Sequence, residues 1–269
     1  MATGLIHPIF DSVRPWIGKA EDFSLARLNL LSEGSNLRTE NGKPVRFVPP
    51  SHSDPYYEVH VFETGHVQTR ADNKHDLFNA LAWLVFPRTK AALNARHVAS
   101  AETEGSTRGP LRDLLTLVDE GGVIVACARE NLATFESLVR GFQWKALYWE
   151  RRAQLLADAR FVLVGHSAYE KSLAPYPGIT CKALFLPVSR KSLTGPLETL
   201  VGELDATAAE WVRALPEDAK PRQMPPLPVF GHPGWLAGSE TPDFYADRRW
   251  FRVAPQRSGQ GATKLERAA

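Results

Sequence analysis

The chain has 269 residues, 43% hydrophobic and 23% charged, with a formal net charge of +2. That is ample apolar material for a sizeable core, and a charge too balanced to predict nucleic acid or an anionic membrane surface as partner. No apolar run approaches the roughly 18 residues that span a bilayer, the first residues lack the basic-then-apolar order of a secretory signal, and Cys127 and Cys181 have no metal-type spacing, so the expectation is a cytoplasmic protein with reduced thiols.

In chain order, residues 21–32 have helical spacing and stop near Gly34. Pro44, Pro49, Pro50 and Pro55 then punctuate an extended region around the apolar piece from Val45 to Val48. The β-branched and aromatic residues of 56–70, broken at Thr64-Gly65, predict a hairpin. His75 to Val85 is apolar almost all the way round, and Pro87 is placed to open a second helix through His97, because a first-turn proline forfeits no hydrogen bond. Residues 99–109, small and polar, read as a loop. Leu114 to Ala126 shows two apolar runs around Gly121-Gly122, which predicts a second hairpin with Asp119-Glu120 at its tip.

Helices are expected at 129–141 and 145–158, the latter with Trp144, Leu147 and Tyr148 on an apolar face. Arg160 to Val164 reads as a strand, followed by Gly165-His166 and a short helix to about Leu173. After a turn at Pro175–Gly178, Cys181 to Val188 is another strand and 197–215 a well-patterned helix. The segment 216–233 carries Pro216, Pro221, Pro225, Pro226, Pro228 and Pro233, so it is neither regular helix nor central strand. It is expected to wrap the surface, pinned by Trp235, Phe244, Tyr245 and Trp250. The fold class expected is α+β: a single domain over 1–253, packed helices around a small mixed or antiparallel sheet with β-hairpins. Residues 254–269 are polar and small and are expected to form a disordered tail.

The chemistry concentrates in the helix pair. His75, Asp76 and Asn79 fall within one arc of the first helix and Trp83 continues that face, while Lys90, Asn94 and His97 follow i, i+4, i+7 spacing in the second. Folded back on one another, the helices would bring His75, Asp76, Asn79, Asn94 and His97 into one pocket. Polar groups on an apolar helix need partners. They form either a structural network, with Asp76 capping the helix and Asn79 tying a loop, or a site. Two histidines and a carboxylate are the ligand types of a zinc, iron or manganese centre.

His166 and Glu170, spaced i, i+4, share a helix face and can extend that cluster or pair with each other. A strand, Gly165 and a helix also resemble the setting of a hydrolase nucleophile elbow, with Ser167 in the nucleophile position and His232 downstream, although Tyr169 stands where the tight turn wants a small residue. Asp119 and Glu120 are either a solvated turn or carboxylates over the pocket mouth. The mixed aromatic and basic stretch 143–152 suits core packing better than nucleotide stacking. The His75-Asp76 doublet is shared with metal phosphohydrolases, but the upstream His60 and His66 fall in strand-like sequence. No Walker loop, dinucleotide-binding glycine fingerprint or H-E-x-x-H is present.

Several motifs, His75-Asp-Leu-Phe-Asn-Ala-Leu with Trp83, Phe86-Pro-Arg-Thr-Lys90, Leu93-Asn-Ala-Arg-His97, Asp119-Glu-Gly-Gly, Gly165-His166 with Glu170-Lys171, Pro175-Tyr-Pro-Gly-Ile-Thr180 and Pro226-Leu-Pro-Val with Gly234-Trp235, resemble DUF3025, a bacterial family of unknown function. The likeness runs over roughly residues 5 to 252 and implies one domain with short extensions. It implies no activity.

The leading expectation is a metal-assisted hydrolase of a small molecule. A divalent zinc, manganese or iron ion would sit on His75, Asp76, His97 and His166, with Glu170 or Glu120 as general base and Asn79, Lys90, Asn94 and Trp83 against the substrate. The alternative is a non-catalytic domain binding a small ligand or a protein, its polar cluster purely structural. A serine hydrolase using Ser167 is the third.

Overall fold

After a 3-10 turn at Pro8–Phe10, the first described α-helices are α1 (Arg14–Ala20) and α2 (Leu25–Gly34), the second begun by Ser24, whose hydroxyl accepts the Arg27 backbone N–H. The computed structural model describes residues 5–20, 22–51, 56–104, 108–239 and 241–254. Strands β1 (Arg46–Val48) and β2 (His66–Gln68) pair in parallel, and helix α3 (Tyr57–Thr64) lies between them in the chain.

The hairpin expected over 56–70 is therefore replaced by a helix and a short strand. Thr64-Gly65 is a helix end: Gly65 closes α3 in the left-handed region at φ 78°, a conformation that suits glycine. A Cβ there would also lie 2.1 Å from the Pro44 carbonyl oxygen. This change puts Glu58 and His60 on a helix.

Helix α4 (Lys74–Val85) is capped by Asn73, whose side chain accepts the Asp76 backbone N–H at 3.0 Å. It is buried from Phe78 to Val85, as its all-round apolarity requires. Helix α5 (Pro87–Glu104) starts at the proline and runs on through residues expected as a loop. Ala99, Ala101 and Glu102 are good helix formers, and length carries the pattern further than composition suggested.

The second expected hairpin is also absent, because α6 (Pro110–Gly121) is a helix leading directly into strand β3 (Gly122–Ala128). Leu111, Leu114, Leu115 and Val118 are buried at i, i+3, i+4, i+7, and a proline opens the first turn. Over a run as short as Leu-Leu-Thr-Leu-Val, helical and strand periodicity cannot be told apart.

The rest follows as α7 (Arg129–Arg140), a π turn at Ala146–Glu150, α8 (Arg152–Asp158), β4 (Ala159–Leu163), α9 (His166–Ser172), β5 (Cys181–Val188), α10 (Arg190–Thr194), α11 (Leu197–Arg213) and β6 (Pro226–Leu227). In the four-stranded sheet, ordered β4-β3-β5-β6, β3 pairs antiparallel with β4 and parallel with β5, and β6 closes the far edge antiparallel to β5. The class is α+β with a mixed sheet. Strand β3 is buried along its whole length, which fits a strand covered on both faces. Part of the proline-rich segment thus serves as an edge strand, with Leu227, Val229 and Phe230 in the core and the Pro228 carbonyl accepting the Tyr148 hydroxyl at 2.9 Å. Cys127 and Cys181 are both free and buried. Residues 255–269, most of the expected tail, lie outside the described residues. Among the described residues no helix is long and apolar enough to cross a membrane.

What positions the site is a close approach of two backbones. Helix α4 packs on α9, and α6 packs on α5 and α9. Gly165, just before α9, lies against the end of α6: a Cβ on it would meet the Gly121 and Gly122 nitrogens at 2.5 Å and the Glu120 carbonyl carbon at 2.6 Å. The Val164 and Gly165 N–H groups both donate to the Gly122 carbonyl at 3.0 Å. Gly165→Ala should therefore destabilise the protein by about 1–3 kcal/mol or more, since the added methyl meets backbone rather than a side chain that can swing away. Urea unfolding measures it, and a loss under about 0.5 kcal/mol would show that the two backbones part easily.

Candidate functional site

The glycine contact sets the last turn of α6 beside the first turn of α9, so Asp119 and Glu120 face His166. Helix α4, packed on α9, brings His75 to the same place. His75 Nε2 lies 3.1 Å from His166 Nε2, and Glu120 Oε1 lies 3.9 Å and 3.7 Å from these two nitrogens. The outer nitrogens of the two rings both face carboxylates: His75 Nδ1 is 3.2 Å from Glu170 Oε2, and His166 Nδ1 is 3.6 Å from Asp119 Oδ2.

This arrangement leaves the imidazoles one proton short. A neutral ring carries a single N–H. If both Nδ1 atoms carry it toward their carboxylates, two Nε2 lone pairs confront one another, and either a further proton on one ring or a metal cation between them relieves that. If one Nε2 carries the proton instead, its own Nδ1 lone pair faces a carboxylate. His166 is pushed down to about 4 by burial, so it stays neutral near pH 7. Two nitrogens bound to one tetrahedral zinc at about 2.0–2.1 Å sit about 3.3–3.4 Å apart, a little wider than here, and a carboxylate behind each metal-binding imidazole is the usual supporting arrangement. His75, Glu120 and His166 could hold a metal ion.

A buried charge pair anchors the group from behind. The Lys90 ammonium donates to Asp119 Oδ1 and, at 2.8 Å, to Asn79 Oδ1. It also lies 5.7 Å from the centre of the Trp83 ring. Burial works against the Asp119 carboxylate, but the Lys90 ammonium, through its charge and its hydrogen bond, holds its pKa below the usual range. Asn79 in turn donates to the Tyr57 hydroxyl at 3.0 Å.

The surrounding cleft, about 400 Å³, is lined by His75, Asp76, Asn79, His97, Asp119, Glu120 and His166 together with Tyr57, Glu58, Gln68, Arg70 and Thr116. His75, Asp76, Asn79 and His97 of the helix pair thus share one cleft. Lys90 and Asn94 sit behind it, and Trp83 is enclosed in the core. Asp76 is held by Arg70 through two guanidinium bonds and a backbone N–H, each 2.8 Å. Burial opposes the Asp76 charge, but the Arg70 bonds win and lower its pKa. Asn73, not Asp76, caps the helix. His97 lies outside the three-residue group, and Glu170 pairs with His75 rather than with His166 one turn away. Ser167 is buried on α9 with no hydrogen bond to a histidine among the described residues. His232 instead packs between Phe161 and Trp235, its Nδ1 on its neighbour's carbonyl.

Glu58, Tyr57 and Arg70 gave no sequence signal. The first two sit on the helix read as a strand, and the Arg70–Asp76 contact crosses a turn. Glu58 accepts the Asn94 side-chain N–H at 2.7 Å, and burial, aided by the Asp119 charge, raises its pKa to about 7. His97, only 4% exposed, is pushed down to about 4 by burial, and its Nδ1 has no partner.

Residues 45–257 match the family described as "Protein of unknown function (DUF3025)". No curated protein and no solved structure matches the chain.

Two outcomes follow from this electrostatic arrangement. Lys90→Met should cost about 3–5 kcal/mol by stranding the Asp119 carboxylate, and adding Asp119→Leu should recover about half or more of that loss. Chemical unfolding of the single and double variants decides it, and a double variant no better than the single would mean the pair is not the anchor. The Glu58 pKa is higher folded, about 7, than the ordinary 4.5. The folded state therefore binds its proton more tightly, and this stabilisation is full below the unfolded pKa and lost as pH rises through 7. Glu58→Gln should gain on wild type by about 2 kcal/mol, allowing for its partial exposure, between about pH 5 and about pH 8. A pH-independent difference would refute the shift.

Proposed function

The chain belongs to the DUF3025 family of proteins of unknown function, and from that starting point we propose that it is a metal-dependent hydrolase acting on a small molecule in the cleft. The observation that carries this reading is the pair of imidazoles whose Nε2 atoms meet at 3.1 Å while both Nδ1 atoms face carboxylates. His75, His166 and Glu120 are the ligands in this reading, which moves Glu120 from base to ligand. Glu170 and Asp119 orient the two rings, and Lys90 keeps Asp119 charged and fixed. Two histidines and one glutamate is a donor set used by catalytic zinc, with positions left open for water and substrate.

A divalent cation held this way lowers the pKa of a bound water toward neutrality and polarises a carbonyl. The chain's own residues supply position: Arg70 fixes Asp76 at the cleft wall, and Asn79 and Tyr57 extend the Lys90 network to its lining. The same donor set also serves iron in oxygen chemistry, so the identity of the metal matters.

Isothermal titration of untagged protein with zinc and manganese, plus elemental analysis of the protein as purified, tests the reading. One ion per chain is expected. Glu120→Gln and His166→Ala should abolish tight binding with folding retained, and Glu170→Gln should weaken it by about 10–100-fold. Metal-loaded protein should cleave chromogenic amides or esters equally well with and without oxygen. Absence of a bound ion, or wild-type affinity in Glu120→Gln, would overturn the centre. Bound iron with oxygen-dependent turnover would overturn the hydrolase.

A further inference from the structure

Beside the three ligand residues, the cleft is lined by Tyr57, Glu58, Gln68, Arg70, His97 and Thr116. The charges along this wall are already matched. Arg70 spends two guanidinium donors on Asp76, and Lys90 behind the wall is spent on Asp119 and Asn79. An incoming anion would therefore meet no uncommitted lysine or arginine among the described lining residues, and would meet the carboxylates of Asp119 and Glu120. What the wall keeps open is uncharged. Burial keeps the His97 imidazole neutral near pH 7, and its Nδ1 is a buried polar atom without a partner. The Tyr57 hydroxyl accepts from Asn79 and retains its own proton to donate.

Buried polar atoms almost always find a partner, and binding sites set orientation with a few such groups in a shaped cleft. An unpartnered nitrogen and an O–H donor lining one cleft match a group that carries both an N–H and a carbonyl. We propose that this wall is a recognition subsite for a neutral amide group of the substrate, with His97 Nδ1 accepting the amide N–H and the Tyr57 hydroxyl donating to the carbonyl. Charged phosphate esters and carboxylates are disfavoured by the same wall. This deepens the hydrolase reading and rests on it for the nature of the reaction, though not for the binding itself.

Long-range proton–nitrogen NMR of the histidine side chains, on full-length protein without metal, reads the subsite directly. Acetamide should move the His97 nitrogen signals saturably, and inorganic phosphate should leave them in place. With zinc bound, acetohydroxamate should bind about tenfold more weakly to Tyr57→Phe and to His97→Leu than to wild type, the loss of about one hydrogen bond in each. Zinc stoichiometry and melting temperature are measured on the same samples, and His97→Gln, which restores a polar atom, should recover part of the affinity where His97→Leu perturbs the fold. A His97 signal indifferent to acetamide, or one that follows phosphate, overturns the subsite. So does an unchanged hydroxamate affinity in both variants with one zinc bound. Failure of zinc binding in wild type overturns the metal centre instead and leaves the acetamide titration to decide the subsite.

Discussion

The candidate site depends on one buried ion pair, Lys90 with Asp119. Lysine and aspartate are almost never fully buried unless paired, so each holds the other in the interior. The pair also joins four elements: Lys90 comes from α5, Asp119 from the last turn of α6, the second Lys90 acceptor Asn79 from α4, and the imidazole facing Asp119 Oδ2 from α9. Such a pair adds little stability over well-packed apolar residues, but losing one partner strands a charge. Its consequence here is geometric. With one Asp119 oxygen on Lys90, the other is left toward His166 Nδ1, and the ring presents Nε2 to the cleft.

The scaffold around the pair is fixed by two backbone devices. Asp205, on α11, accepts the Arg88 and Thr89 backbone N–H groups at 3.1 Å and 2.8 Å. These are among the first-turn donors that an α-helix cannot satisfy itself. A residue from another helix thus caps α5 and sets the position of its first turn, one residue before Lys90. On the other side, the approach of Gly165 to Gly121 and Gly122 brings the α6 end to α9 with no side chain between. The Gly-Gly doublet that looks like hairpin punctuation in the sequence is in fact a contact surface, and Glu120 and His166 flank it.

How much of this could be read from the sequence varied with how local each signal was. The helix pair was legible because its information is short-range: an apolar run too long for a strand, Pro87 at the start of the second helix, and polar residues at helical spacing. The strands read at 123–126, 160–164 and 181–188 were legible for the same reason. Helices α3 and α6 were not, because Tyr-Glu-Val-His-Val-Phe and Leu-Leu-Thr-Leu-Val fit both periods and a glycine can end a helix or turn a hairpin. With α6 hidden, Asp119 and Glu120 could be placed only at a loop tip, and with α3 hidden Glu58 and Tyr57 had no reason to face α5. Glu170 illustrates the limit well. Its i, i+4 spacing to His166 is real, yet its carboxylate turns to His75 on α4, a partner 95 residues away that no local spacing encodes.

The polar clusters elsewhere in the protein sharpen what is different about this one. Asp205 is buried, and both its oxygens accept backbone N–H groups while its carbonyl takes the Thr89 hydroxyl at 3.1 Å. Asp158 is buried too, and Asn131 and Arg190 each take one of its oxygens. Those are structural networks, closed on themselves as buried polar groups ordinarily are. The cleft is not closed. His97 Nδ1 and His166 Nδ1 are buried without a hydrogen-bond partner, and two imidazole Nε2 atoms meet at 3.1 Å. A network selected only to hold the fold would gain by satisfying these atoms, for instance with a leucine at 97 that has nothing to satisfy. Two residues that line the cleft, His97 and His166, each keep a buried nitrogen without a hydrogen bond beside two facing Nε2 atoms, and that is the physical mark of a place that receives something.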